Sequence, residues 1–141
     1  MIEYRTEHNP IHVKDLPCRI QRRRVSGWKM PPNTISCCRP SRLGNPFVCE
    51  SDPQVAVDAF RKLVTQNVGH FEISPGRLQL AKKTHPDTLS PHYGSWLREQ
   101  AIPKIRTFNL ACFCPLERPC HVDVLLELGK KSLIQDRLLI P

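Results

Sequence analysis

The chain has 141 residues, 40% of them apolar and 24% charged, with a formal net charge of +8; this is the size of one ordinary domain. No apolar run approaches the roughly 20 residues that cross a bilayer, and the start, MIEYRTEHNP, carries acidic residues and no apolar core of a signal peptide. These features argue against a membrane or secreted protein and for a reducing cytoplasm, where an odd count of seven cysteines reads as metal ligands, reactive thiols or core packing rather than disulfides.

In chain order, residues 1–18 read as an extended arm closed by Pro17. Arg19–Val25 is strand-like, with Ile20 and Val25 as its apolar marks, and a turn-rich loop follows from Gly27 to Thr34. Thr34–Cys38 is short and β-prone, and Arg39–Phe47 is a tight loop rich in breakers. Pro53–Gln66 is the clearest helix. Ser51 or Asp52 can cap it, Pro53 suits its first position, and Val57, Phe60, Leu63 and Val64 recur at helical spacing. Gly69 ends it. Ser74-Pro75-Gly76 and His85-Pro86-Asp87 read as turns with a short helix between them. A further helix starts at Ser95, carries Trp96, Leu97 and Ile105, and breaks or kinks at Pro103. Asn109–Cys114 is a continuous apolar run that suits a strand buried on both faces. Cys120–Lys131 is a helix with Val124, Leu125 and Leu128 inward and Lys130 and Lys131 complementing its C-terminal dipole. Residues 132–141 form a tail apolar enough to pack down.

Strand, helix, helix, buried strand, helix is α/β alternation. The fold expected is one small Rossmann-like α/β domain over residues 19–131, with a short, mainly parallel sheet flanked by helices. In such folds ligands bind beyond the carboxyl ends of the strands, and both breaker-rich loops fall there.

Charge is uneven. From Leu16 to Cys49 there is no Asp or Glu, while Arg19, Arg22, Arg23, Arg24, Lys29, Arg39 and Arg42 all lie there. The stripe favours an anionic partner, a nucleotide or nucleic acid, with Arg22, Arg23 and Arg24 on phosphates and Trp28 either stacking on a base or anchoring its loop. Within Arg-Pro-Ser-x2-Gly-Asn-Pro-Phe, Arg39 can grip a phosphate with two donors. Ser41 adds a hydroxyl, Gly44 permits a positive φ or close approach to a ligand, and Asn45 can bind or brace the loop.

The second motif is Cys-Phe-Cys-Pro-x4-Cys-His. Cys112, Cys114, Cys120 and His121 make a valid tetrahedral zinc shell of three thiolates and an imidazole. The same residues also read without metal. A thiol at a helix N-terminus has its pKa lowered, so Cys114 or Cys120 with His121, oriented by Asp123, would form a catalytic thiol–imidazole group. Plain packing is the third reading, and for Cys112 it is the simplest.

On Arg-Ile-Gln-Arg-Arg-Arg, Gly27-Trp28, Pro-Pro-Asn-Thr, Arg39-Pro40-Ser41, Gly44-Asn45-Pro46-Phe47, Leu-Ala-Cys-Phe-Cys-Pro and Cys120-His121-x-Asp123-Val124-Leu125, the chain resembles a family of small phage and bacterial proteins classed as a domain of unknown function (4326). The resemblance runs from about Arg19 to Lys131. Cys38 and Leu43 stand where that pattern favours Gly and Trp. The resemblance implies a phage or bacterial origin, hence a host cytoplasm for a phage-encoded protein, and a compact α/β fold. It marks Arg39, Asn45, Cys112, Cys114, Cys120, His121 and Asp123 as signature positions. Three functions remain open: an enzyme on a nucleotide, nucleoside or base; a non-catalytic nucleic-acid-binding protein; and a phage accessory protein that binds a host protein through a domain with a structural Cys/His site.

Overall fold

The strand Asn109–Cys112 (β7) is the centre of the structure, a computed structural model describing residues 3–4, 11–12, 16–66 and 78–139. Its Leu110 and Ala111 are buried, as expected of a strand covered on both faces. Arg19–Gln21 (β3) and Thr34–Ser36 (β4) pair with it on either side, both parallel, in the order β3-β7-β4. Arg19 lies opposite Leu110 and Thr34 opposite Asn109. Two bonds carry the ladder past the strand ends: the Arg22 N–H donates to Cys112 O and the Cys37 N–H to Ala111 O, each at 2.8 Å. The expected mainly parallel α/β sheet is therefore present. Two small antiparallel pairs accompany it: Glu3–Tyr4 (β1) with Ile11–His12 (β2), and Phe47–Val48 (β5) with Gln79–Leu80 (β6).

Helix α1 spans Pro53–Gln66. The Asp52 carboxylate accepts the Gln54 N–H at 3.0 Å, capping the first turn. Ala56, Val57, Ala59, Phe60, Leu63 and Val64 form the buried stripe. Helix α4, His121–Leu139, packs on β7 and β3 and meets α1. These faces close over one apolar core. No helix among the described residues is long and apolar enough to cross a membrane.

Several expectations need correction. The helix expected at Ser95 begins at Tyr93. Helix α2 (Tyr93–Trp96) runs through a wide π turn, Leu97–Ala101, into α3 (Ile102–Ile105). Pro103 neither breaks nor ends it. Proline has no N–H and its ring crowds the carbonyl four residues back, and the π turn, closed by the Ile102 N–H on Leu97 O, makes room. The short helix expected between residues 76 and 85 is not formed: β6 lies there, and Pro86–Leu89 is a 3-10 turn. Gly69 and Ser74-Pro75-Gly76 lie outside the described residues. The segment read as a packed tail continues α4 to Leu139, because nothing from Ser132 onward stops a helix before Pro141. Lys130 and Lys131 thus sit mid-helix and do not complement a C-terminus.

Candidate metal centre and ligand cavity

All three parallel strands end on one edge, and the two motif loops leave from it. The Cys112–His121 loop is held by Arg19. Its Nη2 donates to the carbonyls of Pro115 (3.1 Å), Leu116 and Arg118 (2.9 Å), while Nη1 meets Asp123 at 2.9 Å. Only 8% of that side chain is exposed. A planar fork with five donors suits this task in a way lysine cannot match. Asp123 also accepts the Cys120 N–H at 3.4 Å, so it fastens the start of α4. It does not orient His121.

The Arg39–Phe47 loop holds itself together. Asn45 Oδ1 accepts the Phe47 N–H at 2.9 Å and Asn45 Nδ2 donates to Ala56 O at 3.1 Å, which pins the loop to α1. Ser41 Oγ accepts the Leu43 N–H at 3.0 Å. A Cβ on Gly44 would lie 3.0 Å from Arg39 Cγ and 3.1 Å from Arg39 Cα. The glycine is needed because the loop passes close to itself. Arg42 pairs with Asp87 at 3.0 Å and stacks 3.8 Å over Trp96, and Tyr93 Oη donates to Arg42 O.

His121 joins the loops. The ring is buried, and its Nε2 lies 2.9 Å from both Cys37 O and Leu43 O. Two carbonyls can only accept, so Nε2 carries the proton and Nδ1 presents a lone pair. Burial lowers the pKa to about 4 against the smaller opposing pull of the two carbonyls, so the ring is neutral at pH 7. Nδ1 is 3.6 Å from Cys120 Sγ.

Around it lies a sulfur cluster. Cys112 and Cys114 sulfurs are 3.8 Å apart. Contacts with Cys112 and then Cys120 lower the Cys114 pKa to about 3, with Arg19 and Arg39 adding smaller pulls. For Cys112, Cys114 pushes up while Cys120 and Cys38 pull down, and the net is a fall to about 7. Cys120 is pushed up by Cys112 and Cys114.

Cys112, Cys120 and His121 offer ligand atoms within 4.8 Å of one another, a group able to hold a metal ion. A tetrahedral ion with metal–sulfur bonds of ~2.3 Å and metal–nitrogen bonds of ~2.0 Å sets its sulfurs ~3.8 Å apart and a sulfur–nitrogen edge at ~3.5 Å. The Cys112–Cys114 and Cys120–His121 separations match those two edges. A ligating imidazole with its other N–H on a carbonyl is the usual outer arrangement of a metal site. Cys112, Cys120 and His121 could thus hold a metal ion such as zinc; Cys114 has its sulfur beside that of Cys112 but lies outside this group.

Above the cluster is a cavity of about 360 Å³, walled by both loops and by Pro53 at the start of α1. Arg24 and Arg39 are its charged lining, and Phe47, Val57 and Phe113 supply apolar wall. Arg24 lies 3.9 Å over the Phe113 ring. Cys112, Cys114, Cys120 and His121 reach the cavity together with Arg39 and Asn45; Ser41, Asp123 and Trp28 do not line it.

The stripe is divided. Arg19 is turned into the second loop, and Arg22 donates to Ser36 Oγ at 3.0 Å and to Cys38 Sγ at 3.5 Å. Arg23 and Arg24 are exposed, and Trp28 is half-buried. Cys38, also in the cavity wall, had no motif to mark it. The usable signal was the pair Cys37-Cys38 at a strand end, since alternation sends one to the core and its neighbour to the other face. Cys37 is fully buried.

A short parallel sheet in an α/β domain thus carries, at its carboxyl edge, a Cys/His group and a cavity with two arginines in its wall. The chain belongs to the family described as Domain of unknown function (DUF4326), whose profile matches residues 20–131. No curated protein and no solved structure matches it.

Proposed function

We propose that this domain binds a nucleotide-class anion (a nucleotide, a nucleoside phosphate or the phosphate of a nucleic acid) in the cavity, above a zinc ion held by Cys112, Cys120 and His121, and acts on it there. The observation that carries the reading is the meeting of both motif loops in one cavity at the carboxyl edge of a parallel sheet, with Arg24 and Arg39 in its wall. Its volume lies within the range of small-molecule sites. The arginines match phosphate, and Phe113 with the apolar wall suits a base. Seven free thiols suit a reducing compartment.

Bound zinc would supply electrostatic stabilisation of a developing negative charge. The chain's own residues do the rest. Arg39 orients the anion. His121, with its Nε2 proton fixed on two carbonyls, works through Nδ1 as a ligand and does not shuttle protons. Cys114, which lines the cavity but lies outside the metal-holding group, is the nucleophile. Asp123 serves through Arg19, fixing the loop that carries these thiols.

Titration calorimetry with nucleoside mono-, di- and triphosphates tests this. Saturable binding is expected, weakened about 10- to 100-fold in Arg39→Ala through loss of charged hydrogen bonds. No heat and no amide shift up to millimolar ligand overturns it. The exposed Arg23 and Arg24 favour a second reading, non-catalytic binding of a nucleic-acid strand. An oligonucleotide whose affinity falls steeply with salt while mononucleotides fail to bind would support that instead.

A further inference from the structure

Arg24 and Arg39, the charged lining of the cavity, are exposed, whereas Cys120 and His121 are buried. The cations therefore stand at the mouth, and the sulfur–imidazole group forms the floor. Arg24 is held at the mouth by the Phe113 ring, 3.9 Å from its guanidinium, and Arg22 covers the same ring at 4.6 Å. Arg19, Arg42, Arg61 and Arg106 each meet a carboxylate. Among the described residues no carboxylate pairs with Arg23, Arg24 or Arg39, and none of those lining the cavity is acidic.

A free nucleoside di- or triphosphate is commonly cradled by backbone N–H groups of a loop or of a helix N-terminus. Here those groups are taken. In the Arg39–Phe47 loop the N–H groups of Ser41, Leu43, Gly44 and Phe47 donate to Cys38 O, Ser41 Oγ, Ser41 O and Asn45 Oδ1. At the start of α1, Pro53 has no N–H. Asp52 takes those of Gln54 and Val55, through its carboxylate at 3.0 Å and its carbonyl at 3.1 Å. What remains for an anion is two guanidinium groups at the mouth, which suits one phosphate at a time. A phosphate held at a mouth has solvent beyond it, so a chain can run on from both of its ester oxygens. Arg23, exposed and adjoining Arg24, offers the next cation, within a stretch from Leu16 to Cys49 that has no Asp or Glu.

We infer that the substrate is a nucleotide within a single strand of nucleic acid. Arg24 and Arg39 grip its phosphate at the mouth, its base enters between the apolar walls toward the Cys/His floor, and Arg23 carries a neighbouring phosphate. A duplex would first have to give up the pairing and stacking of that base. The inference rests on the reading of the cavity as a nucleotide site, and is independent of which metal the floor holds.

The test titrates the full-length protein with a single-stranded hexamer, DNA and RNA in turn, carrying 2-aminopurine at an internal position, beside the matching nucleoside monophosphate. One hexamer should bind about 10-fold more tightly than the monophosphate in low salt, with affinity that falls as salt rises. Its 2-aminopurine emission should rise as the base leaves the stack, and excess monophosphate should displace it. Arg39→Ala should weaken both ligands. Arg23→Ala should cut the preference for the hexamer and lower the salt slope by about 0.7, the share of one phosphate on a single strand. A monophosphate that binds as tightly as the hexamer, or an unchanged preference and slope in Arg23→Ala, overturns the inference and leaves a free nucleotide as the ligand. A hexamer that the monophosphate cannot displace, with unmoved emission, also overturns it, because the strand then bypasses the cavity. So does a duplex bound as tightly as the single strand. Failure of every nucleotide and oligomer to bind overturns the proposed function itself, and this inference with it.

Discussion

Replacing Asn45 with alanine separates a brace from a ligand contact. In the structure the side chain is buried and engaged at both ends: Oδ1 accepts from Phe47 N at 2.9 Å and Nδ2 donates to Ala56 O at 3.1 Å. Alanine removes both bonds. Phe47 N–H then loses that acceptor in a buried place, at about 1–3 kcal/mol. The Ala56 carbonyl lies within α1 and keeps its helical bond, so its loss falls near the ~1 kcal/mol of an ordinary hydrogen bond. The sum is about 2–4 kcal/mol. At roughly 4 °C per kcal/mol for a domain of this size, the melting temperature should fall about 8–16 °C. Asn45→Asp keeps the acceptor but turns a carboxylate oxygen onto the Ala56 carbonyl in a buried place, and should destabilise at least as much as alanine. Urea denaturation and calorimetry measure this. Wild-type stability in Asn45→Ala, accompanied by lost nucleotide binding, would refute the bracing role and make Asn45 a contact to the ligand.

Protonation of His121 should destabilise the metal-free protein in acid. Its folded pKa of about 4 lies below the unfolded 6.5 because of burial, so the unfolded chain takes up the proton first. The stability is complete above about pH 6.5 and is lost as pH falls toward 4, by about 3 kcal/mol. Urea midpoints of wild type against His121→Asn over that window check it; identical profiles would contradict it. Arg19→Ala should cost about 2–4 kcal/mol and raise amide exchange across residues 115–120, because that one guanidinium holds three carbonyls and Asp123. Arg19→Lys should rescue little, since an ammonium lacks the fork; full rescue would show that charge alone suffices.

Local chemistry was readable where one segment carries its own signal. Pro53–Gln66 forms with the bounds its proline, cap and apolar stripe predict, and the run around Leu110–Ala111 is the central strand it resembles. The carboxyl-edge placement of both loops follows from α/β alternation. Relations between distant segments were not readable. Asp123 stands beside His121 in sequence, yet its partner is Arg19, 104 residues away. The acidic group nearest a histidine along a chain need not face its ring. Asn45 and Gly44 look like ligand chemistry alone, and only the closeness of α1 and of Arg39 shows them holding the loop. Cys38 reaches the central strand, its S–H on Ala111 O at 3.9 Å, because β4 and β7 are neighbours. The stripe read as one surface because sequence gives charge without direction. The π turn at Pro103 and the length of α4 were hidden for a related reason, since helix ends depend on packing as much as on breakers.

In the proposed site a zinc-type centre and a nucleotide-class anion share one cavity. Phosphorus relaxation of a nucleoside monophosphate, compared in the Co(II)- and Zn(II)-loaded proteins, tests it in one experiment. Paramagnetic cobalt shortens the relaxation only of nuclei bound close to it. A shared site should give a tetrahedral thiolate–cobalt spectrum, faster phosphorus relaxation with cobalt than with zinc, and loss of that difference in Arg39→Ala. Binding of the nucleotide with equal relaxation in both metal forms would contradict a shared site.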